Sequence, residues 1–260
     1  MLGKKQTSAM VDNAPWLKAF NNVESIITKA HLERLVSITL DNVMAAAKGK
    51  NAAFSWSGGK DSIVLQAICS MAGIKDCILA VCDLEYPAFM AWINRHKPKG
   101  LEIINTGQDM DFLAKHPDLL FPQKAAGAQR WFGIVQHGAQ RAYGEKHRLD
   151  ILFMGRRHLE GNHTGKDGVY KSGSVIRYSP LAKWKHEEIF AFIHYFKLKL
   201  PPIYQWKNGF YNGTHPWPAR QATGSIQNGW KEIYDIDKSI VIEAARHIPS
   251  ANKFLGGIKA

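Results

Sequence analysis

The chain has 260 residues, of which 45% are hydrophobic and 11% aromatic, so it can bury a substantial core and is not an intrinsically disordered protein. Its formal net charge of +12 favours anionic partners, either nucleic acid or a phosphate-rich small molecule. The basic residues are scattered rather than clustered in one tract, which favours the small molecule and keeps nucleic acid as the alternative.

Neither a membrane span nor a disulfide framework is predicted. No apolar run approaches the roughly 20 residues that cross a bilayer, and residues 1–8 lack the apolar stretch of a secretory signal. We therefore expect a cytoplasmic protein with no membrane partner. The cysteines are Cys69, Cys77 and Cys82, an odd number without a Cys-x-x-Cys pair, which argues against disulfides, a zinc ribbon or an iron–sulfur cluster.

Strand and helix patterns alternate along most of the chain. Residues 1–15 are expected to form a loose terminus, and residues 16–48 have the apolar spacing of helices. The alternating elements that follow are a strand at 52–56, a helix at 61–72, a strand at 77–83, a helix at 87–96, a strand at 101–105, helices at 109–115 and 127–147, and a strand at 149–154. This order predicts βαβ units with a parallel sheet, whose ligands bind at the carboxyl ends of the strands.

The segment Ser57-Gly-Gly-Lys-Asp-Ser62 joins the first strand to the first helix of this series. Gly58 and Gly59 have no Cβ, so backbone N–H groups can converge there on an anion, and the helix N-terminus adds its own positive field. The hydroxyls can donate hydrogen bonds, and Lys60 can add a mobile cation. Asp61 can cap the helix or hold a magnesium ion against phosphate oxygens.

Polar residues also follow two other predicted strands. Asp83 follows the second strand, where it can cap a helix or bind a ligand or metal. Gly155, Arg156 and Arg157 follow the fourth strand, and guanidinium groups bind phosphate or sulfate in a fork geometry.

Two later segments are irregular in sequence. The glycine-rich stretch 158–173 is expected to be a mobile loop over the site, with His158 and His163 solvated rather than bound to zinc. The aromatic residues between 200 and 220 can stack on nucleobases, but packing against the protein's own core is the preferred interpretation.

Several of these motifs resemble those of one known family. Ser57-Gly-Gly-Lys-Asp-Ser62 resembles the PP-loop of the ATP pyrophosphatase superfamily. The other similar segments are Asp83-Leu-Glu-Tyr-Pro87, Gly155-Arg-Arg-His-Leu-Glu160, Tyr178-Ser-Pro-Leu-Ala-Lys-Trp184, Pro202-Ile-Tyr204 and Gly209-Phe-Tyr211. In this order they resemble the phosphoadenylylsulfate (PAPS) reductase family.

The resemblance implies an α/β fold of the adenine nucleotide α hydrolase-like type, with a mostly parallel twisted sheet and helices on both faces. We expect an N-terminal helical cap at 1–48, a PP-loop nucleotide-binding domain at 49–184, and a helical, aromatic-rich extension at 185–260 packed on the same core. A homodimer is left open.

The resemblance also implies an enzyme that binds ATP or a PAPS-like adenine nucleotide with Mg²⁺ and cleaves it between the α and β phosphates to activate an unknown acceptor. The implied catalytic residues are Lys60, Asp61, Arg156 and Arg157. The implied nucleotide-binding residues are Ser55, Ser57, Gly58, Gly59, Lys60, Asp61, Ser62, Asp83, Gly155 and Arg156. The implied metal ligands are Asp61 and Asp83.

The chain departs from the family in its cysteines. The sulfonucleotide reductases carry a nucleophilic cysteine in a C-terminal Glu-Cys-Gly-φ-His motif, whereas this sequence has no cysteine after Cys82. Reduction by an internal thiol is therefore not expected. The alternatives are a module that binds nucleotide or nucleic acid without turnover, and sulfonucleotide reduction or sulfur transfer that depends on a partner's thiol.

Overall fold

The structure is a computed structural model that describes residues 1–258, apart from the side chains of Ala125 and Ala128. It contains a six-stranded sheet in the order β3-β2-β1-β4-β6-β5. The strands are β1 (Ala52–Ser55), β2 (Cys77–Val81), β3 (Leu101–Asn105), β4 (Ile151–Phe153), β5 (Val169–Ser172) and β6 (Val175–Tyr178). Strand β1 pairs in parallel with β2 and β4, β4 pairs in parallel with β6, and β5 is antiparallel to β6.

Helices surround this sheet and continue to the end of the described chain. They are α1 (Asn13–Asn21), α2 (Val23–Ile26), α3 (Lys29–Ala47), α4 (Lys60–Met71), α5 (Pro87–His96), α6 (Met110–Lys115), α7 (Ala125–Phe132), α8 (Gly138–Lys146), α9 (His186–Tyr195), α10 (Gly209–Asn212), α11 (Ile226–Ile236), α12 (Lys238–Ala244) and α13 (Pro249–Ile258). A π-helical turn, Gly133–His137, joins α7 to α8. The expected α/β fold with a mostly parallel sheet is confirmed.

Side-chain burial distinguishes the strands inside the sheet from the strand at its edge. All five residues of β2 and all three of β4 are buried, as expected of strands covered on both faces. In β5 the exposed and half-buried residues alternate, which is typical of an edge strand with one face towards solvent.

The chain divides into two compact units. The first comprises residues 1–79, 92–103 and 140–213, and the second comprises 80–91, 104–139 and 214–260. In the first unit, Trp16 stacks on Phe210 at a centroid distance of 5.6 Å, which places α1 against α10. In the second unit, Trp230 meets Phe121 edge-on at 5.0 Å. The three consecutive domains expected from the sequence stay a prediction.

Two local expectations are wrong. The N-terminal residues are not a loose terminus, because the Lys5 N–H donates to the Leu159 carbonyl at 2.9 Å and α1 already begins at Asn13. The stretch 158–173 is not wholly irregular, because it contains a short 3-10 helix, His158–Glu160, and strand β5. Strand β5 forms because its backbone groups pair with those of β6. The polar, glycine-rich sequence of the segment does not by itself predict a strand. Among the described residues, no helix is long and apolar enough to cross a membrane.

Candidate functional site

The loop between β1 and α4 has the conformation that its glycines suggested. Gly58 has φ +64°, a left-handed conformation that costs a residue with a Cβ about 1–2 kcal/mol. Gly59 is the extended N-cap of α4 and no side chain caps the helix there. The first-turn N–H groups of a 12-residue helix therefore begin at this loop, where they can bind an anion.

The two serines of the loop bond to each other and to its backbone. The Ser57 N–H donates to Ser62 Oγ at 3.1 Å, and Ser62 Oγ donates to the Gly59 carbonyl at 2.9 Å. The Lys60 N–H, the first of the helix, donates to the Tyr204 hydroxyl at 2.7 Å. These hydrogen bonds fix the shape of the loop. The Tyr204 oxygen occupies a position from which an anion oxygen could accept a hydrogen bond from the Lys60 N–H.

Lys60 is not the mobile cation expected from the sequence. Its side chain is 3% exposed, and Nζ lies 2.7 Å from Asp61 Oδ2 and 2.5 Å from Glu160 Oε1. Nζ also lies 5.8 Å from the centroid of the Trp16 ring, within range of a cation–π interaction. The correction has a physical reason, since a buried ammonium group must be paired.

Arg157 belongs to the same buried cluster. Its Nε donates to Asp61 Oδ1 at 2.7 Å, and one terminal nitrogen donates to Glu160 Oε1 at 2.9 Å. Burial alone would lower the pKa of Arg157, but Asp61 and Glu160 outweigh it and raise that pKa. Arg157 is therefore a fully charged residue that bridges the PP-loop helix to the segment after β4.

Glu160 is the centre of the cluster. Besides its contacts with Lys60 and Arg157, Glu160 forms an ion pair with Lys5, whose Nζ lies 2.9 Å from Glu160 Oε2. Burial acts to raise the pKa of Glu160, but the three cations outweigh it and hold that pKa well below its usual value. Three cations face the two carboxylates of Asp61 and Glu160, so the cluster carries a net positive charge beside the PP-loop.

His186 completes the cluster as a neutral side chain. Its Nδ1 accepts from Arg157 at 2.9 Å, which places the proton on Nε2. Burial, followed by the charges of Arg157 and Lys60, lowers the pKa of His186 to about 3. Within the described residues, the buried Nε2 has no hydrogen-bond partner.

Arg156 points away from this cluster. It is half-buried, and one terminal nitrogen donates to the Tyr170 hydroxyl at 2.8 Å and to the His163 carbonyl at 3.3 Å. Burial lowers the pKa of Arg156, and Arg177 acts in the same direction. The paired arginines after β4 thus have separate roles, one inside the buried cluster and one at the end of the sheet.

Gly155 lies directly against the PP-loop helix. A Cβ at this position would lie 3.2 Å from the Asp61 carbonyl carbon and from the Ser62 nitrogen. A side chain here would crowd the backbone of α4, so a glycine favours the close approach of the segment after β4. Ser55, the last residue of β1, accepts a hydrogen bond from Gln140 Nε2 at 3.1 Å.

The two predicted metal ligands, Asp61 and Asp83, belong to different compact units of the chain. Asp61 directs one oxygen to Lys60 and the other to Arg157, so neither is free for a metal in this conformation. Asp83 belongs to the other unit and accepts from Asn105 Nδ2 at 2.5 Å. Residues 1–258 contain no group of three or more His, Cys, Asp or Glu side chains arranged to hold a metal ion. Asp61 does not fit the role of magnesium ligand as it stands, and that role stays a prediction.

The cysteines Cys69, Cys77 and Cys82 are free and buried. Burial raises the pKa of the Cys77 thiol to about 12, and burial also raises those of Cys69 and Cys82. Each is therefore a protonated thiol at neutral pH and a poor nucleophile.

The sequence prediction omitted residues that the structure brings to the site. Glu160 and Tyr204 lie in segments that resemble the family's motifs, which is a local signal for their positions. Lys5 and His186 carry no local signal, because only the tertiary fold brings them to Glu160.

Residues 51–212 match the sequence pattern of the phosphoadenosine phosphosulfate reductase domain, which is more than half of the chain. The chain belongs to the phosphoadenosine phosphosulfate reductase family. A comparison by sequence with curated proteins found no match.

Three solved structures resemble this PAPS reductase family member, and the first of them supports its fold. PAPS reductase from Candida auris, a phosphate complex, has a TM-score of 0.50 and 14% identity over 69% of this chain and 92% of that chain. FMN adenylyltransferase from Candida glabrata, with FAD and pyrophosphate, has a TM-score of 0.49 and 14% identity over 79% and 70% of the two chains. The U34-tRNA thiolase of Methanococcus maripaludis has a TM-score of 0.48 and 15% identity over 89% and 80%.

Proposed function

We propose that this chain binds ATP or a related adenine nucleotide at the PP-loop and transfers the adenylyl group to an acceptor, releasing pyrophosphate. The observation that carries the proposal is the PP-loop itself. It combines the left-handed Gly58, the glycine N-cap Gly59, and a net positive cluster of buried side chains next to the first turn of α4. Together these features favour a polyphosphate.

The backbone of the PP-loop would bind the leaving pyrophosphate. The N–H groups of the loop and of the first turn of α4 supply hydrogen bonds without a change in protonation. Ser57 and Ser62 can turn their hydroxyls from each other towards phosphate oxygens, since each now bonds only within the loop.

The buried cluster would provide a fixed positive field. Lys60 and Arg157 are held in place by Asp61 and Glu160, so they need no reorganisation as negative charge develops on the leaving group. Asp61 and Glu160 are then positioning residues. Arg156 is half-buried and can reach a ligand at the end of the sheet.

The chemical step is a displacement at the α-phosphorus. An acceptor oxygen forms a bond to that phosphorus, the bond to the α–β bridging oxygen breaks, and the bridging oxygen leaves with the electron pair as part of pyrophosphate. A magnesium ion bound with ATP would supply further charge neutralisation. The protein's part is to position the phosphates and stabilise the charge.

Reduction of a sulfonucleotide is the second candidate, favoured by membership of the PAPS reductase family. It requires a thiolate, and the buried, protonated cysteines of this chain do not supply one. A partner's thiol would have to attack the sulfate sulfur.

Product analysis separates the two candidates. The protein is incubated with radiolabelled ATP plus a metabolite extract as the source of acceptor, and separately with PAPS plus a reduced dithiol. We expect pyrophosphate and an adenylylated product or AMP from ATP, and no sulfite from PAPS. Sulfite without pyrophosphate would replace the proposal with the second candidate, and ADP with inorganic phosphate would contradict both.

A further inference from the structure

A row of polar side chains lies on one face of the sheet, apart from the buried cluster beside the PP-loop. Leu152 is in register with Ala53 on one side and Arg177 on the other, so Arg177 shares a sheet face with Ser55 and Met154, two residues further along their strands. Gln140 on α8 covers this face, donating to Ser55 Oγ and accepting from Arg177. Arg177 therefore lies near the carboxyl edge of the sheet.

Arg177 is a buried cation whose protein partners are neutral. Arg177 is 4% exposed. One of its terminal nitrogens donates to Gln140 Oε1 and to Met154 Sδ, the latter at 3.9 Å. Its Nε–H is buried and has no acceptor, and no carboxylate within residues 1–258 forms an ion pair with it.

The surroundings of Arg177 add further positive charge and a hydroxyl. Tyr170 faces it across the β5–β6 pair, and the Tyr170 hydroxyl accepts from Arg156 at 2.8 Å. Burial lowers the pKa of Arg177, Tyr170 opposes that change, and the charge of Arg141 adds to the lowering. Burial lowers the pKa of Arg156, and the positive charge of Arg177 acts in the same direction.

Other buried arginines in this chain have carboxylate partners. Arg157 pairs with Asp61 and Glu160, and Arg220 Nε pairs with Glu232 Oε2 at 2.7 Å. A buried charge without an opposite charge is costly, and proteins keep one chiefly where a ligand supplies the missing charge. The uncompensated position of Arg177 thus calls for an anion.

We propose that Arg177, together with Arg156 and Tyr170, forms a second oxyanion site distinct from the PP-loop. Resting on the proposed function, this site holds the anionic group of the acceptor, a phosphate, sulfate or carboxylate. The unused Nε–H is one arm of the guanidinium fork that binds two oxygens of such a group, and the Tyr170 hydroxyl can donate to a third.

The test uses inorganic phosphate, sulfate and acetate as probes with the full-length protein free of nucleotide. Binding is measured by titration calorimetry, and stability is measured by thermal unfolding in a chloride-free, zwitterionic buffer with and without each anion. The variants are Arg177→Met, Arg156→Gln and the control Arg220→Met, which removes a buried arginine that has a carboxylate partner.

We expect the affinity for the tetrahedral anions or for acetate to fall about ten- to a hundredfold in Arg177→Met, and to fall in Arg156→Gln as well. Without anion, Arg177→Met should unfold at the parent's temperature or above it, whereas Arg220→Met should unfold well below. Binding of phosphate or sulfate alone identifies an ester group on the acceptor, and binding of acetate identifies a carboxylate.

Two results would overturn the proposal. One is an Arg177→Met protein that binds every probe as tightly as the parent. The other is an Arg177→Met protein that fails to fold or unfolds as readily as Arg220→Met, which would make Arg177 a structural residue. The variant Gly58→Ala distinguishes this site from the PP-loop. It should weaken ATP binding and leave the Arg177-dependent binding of the anion unchanged. A parent protein that does not bind ATP would refute the proposed function and with it the acceptor role of this site, whereas anion binding at Arg177 would still be decided by the variants.

Discussion

Lys60 Nζ and Glu160 Oε1 lie 2.5 Å apart, although 100 residues separate them in the sequence. This contact ties the first turn of the PP-loop helix α4 to the segment that follows β4. Since Arg157 and Lys5 meet the same carboxylate, Glu160 holds three parts of the first unit together. The position of Lys60 and Arg157 beside the PP-loop depends on this carboxylate being ionised and buried.

Replacement of Glu160 by Gln should therefore destabilise the protein. Glu160→Gln keeps the shape of the side chain but removes the charge that Lys5, Lys60 and Arg157 share. Breaking a buried ion pair costs about 3–5 kcal/mol, so the free energy of unfolding should fall by about 3 kcal/mol or more. Urea denaturation measures it. The control is Glu24→Gln, whose partner His194 is exposed, and which should change stability by about 0.5 kcal/mol or less.

Gly58→Ala tests the shape of the PP-loop. The left-handed φ of Gly58 should cost the variant about 1–2 kcal/mol and displace the amides that meet the phosphate. Gly73→Ala is the matched control, because Gly73 has φ +79° just beyond the end of the same helix and open space around a new Cβ. Both variants should lose similar stability, but only Gly58→Ala should lose about tenfold or more in ATP affinity by calorimetry. Equal ATP affinities would show that the loop does not bind the nucleotide.

His186 should contribute to acid unfolding. Its pKa is about 3 in the folded protein and 6.5 when unperturbed. The unfolded state therefore gains a proton on this group as the pH falls below 6.5 while the folded state does not, and stability is lost from pH 6.5 down towards pH 3. In His186→Gln, which keeps an acceptor for Arg157, the slope of unfolding free energy between pH 6.5 and 5 should be shallower by up to about one proton. An unchanged slope would show that His186 is not a buried neutral group.

Glu85 should have the opposite pH dependence. Burial raises the pKa of this carboxyl group to about 8 from its usual 4.5, and its Oε2 is buried without a partner among the described residues. The folded state thus binds the extra proton, so stability is full below pH 4.5 and falls as the pH rises through 8. Glu85→Gln should remove this loss and be more stable than the parent at pH 9, by up to about 5 kcal/mol for a rise of this size. Parallel curves for the two proteins between pH 5 and 9 would contradict the assignment.

The sequence was sufficient to predict strands β1 to β4 of the sheet and the loop that precedes α4, but not β6. Continuous apolar runs such as β2 are distinctive, and the strand–Gly58–Gly59–helix order is a local signal. Strand β5 could not be predicted, because Val-Tyr-Lys-Ser has little apolar character and forms a strand only through pairing with β6.

The charges at the site were harder to predict than the backbone. Lys60 and Arg157 were singled out, but the sequence could not show that both would be buried and neutralised by Glu160. Nor could it show that Arg177 would lack a carboxylate partner, since that depends on the elements packed on both sides of β6. Pairing of distant charges is a tertiary property.

The central claim is that the PP-loop directs cleavage between the α and β phosphates of ATP. The most direct measurement is the rate of pyrophosphate release from ATP labelled at the γ-phosphate, in the presence of the acceptor source, for the parent, Lys60→Ala and the exposed control Lys75→Ala. Calorimetry and thermal unfolding of each variant confirm that it is folded. We predict labelled pyrophosphate from the parent and from Lys75→Ala, and a rate about ten- to a thousandfold lower in folded Lys60→Ala. Equal rates in the parent and Lys60→Ala, or label released as inorganic phosphate with ADP, would contradict the account.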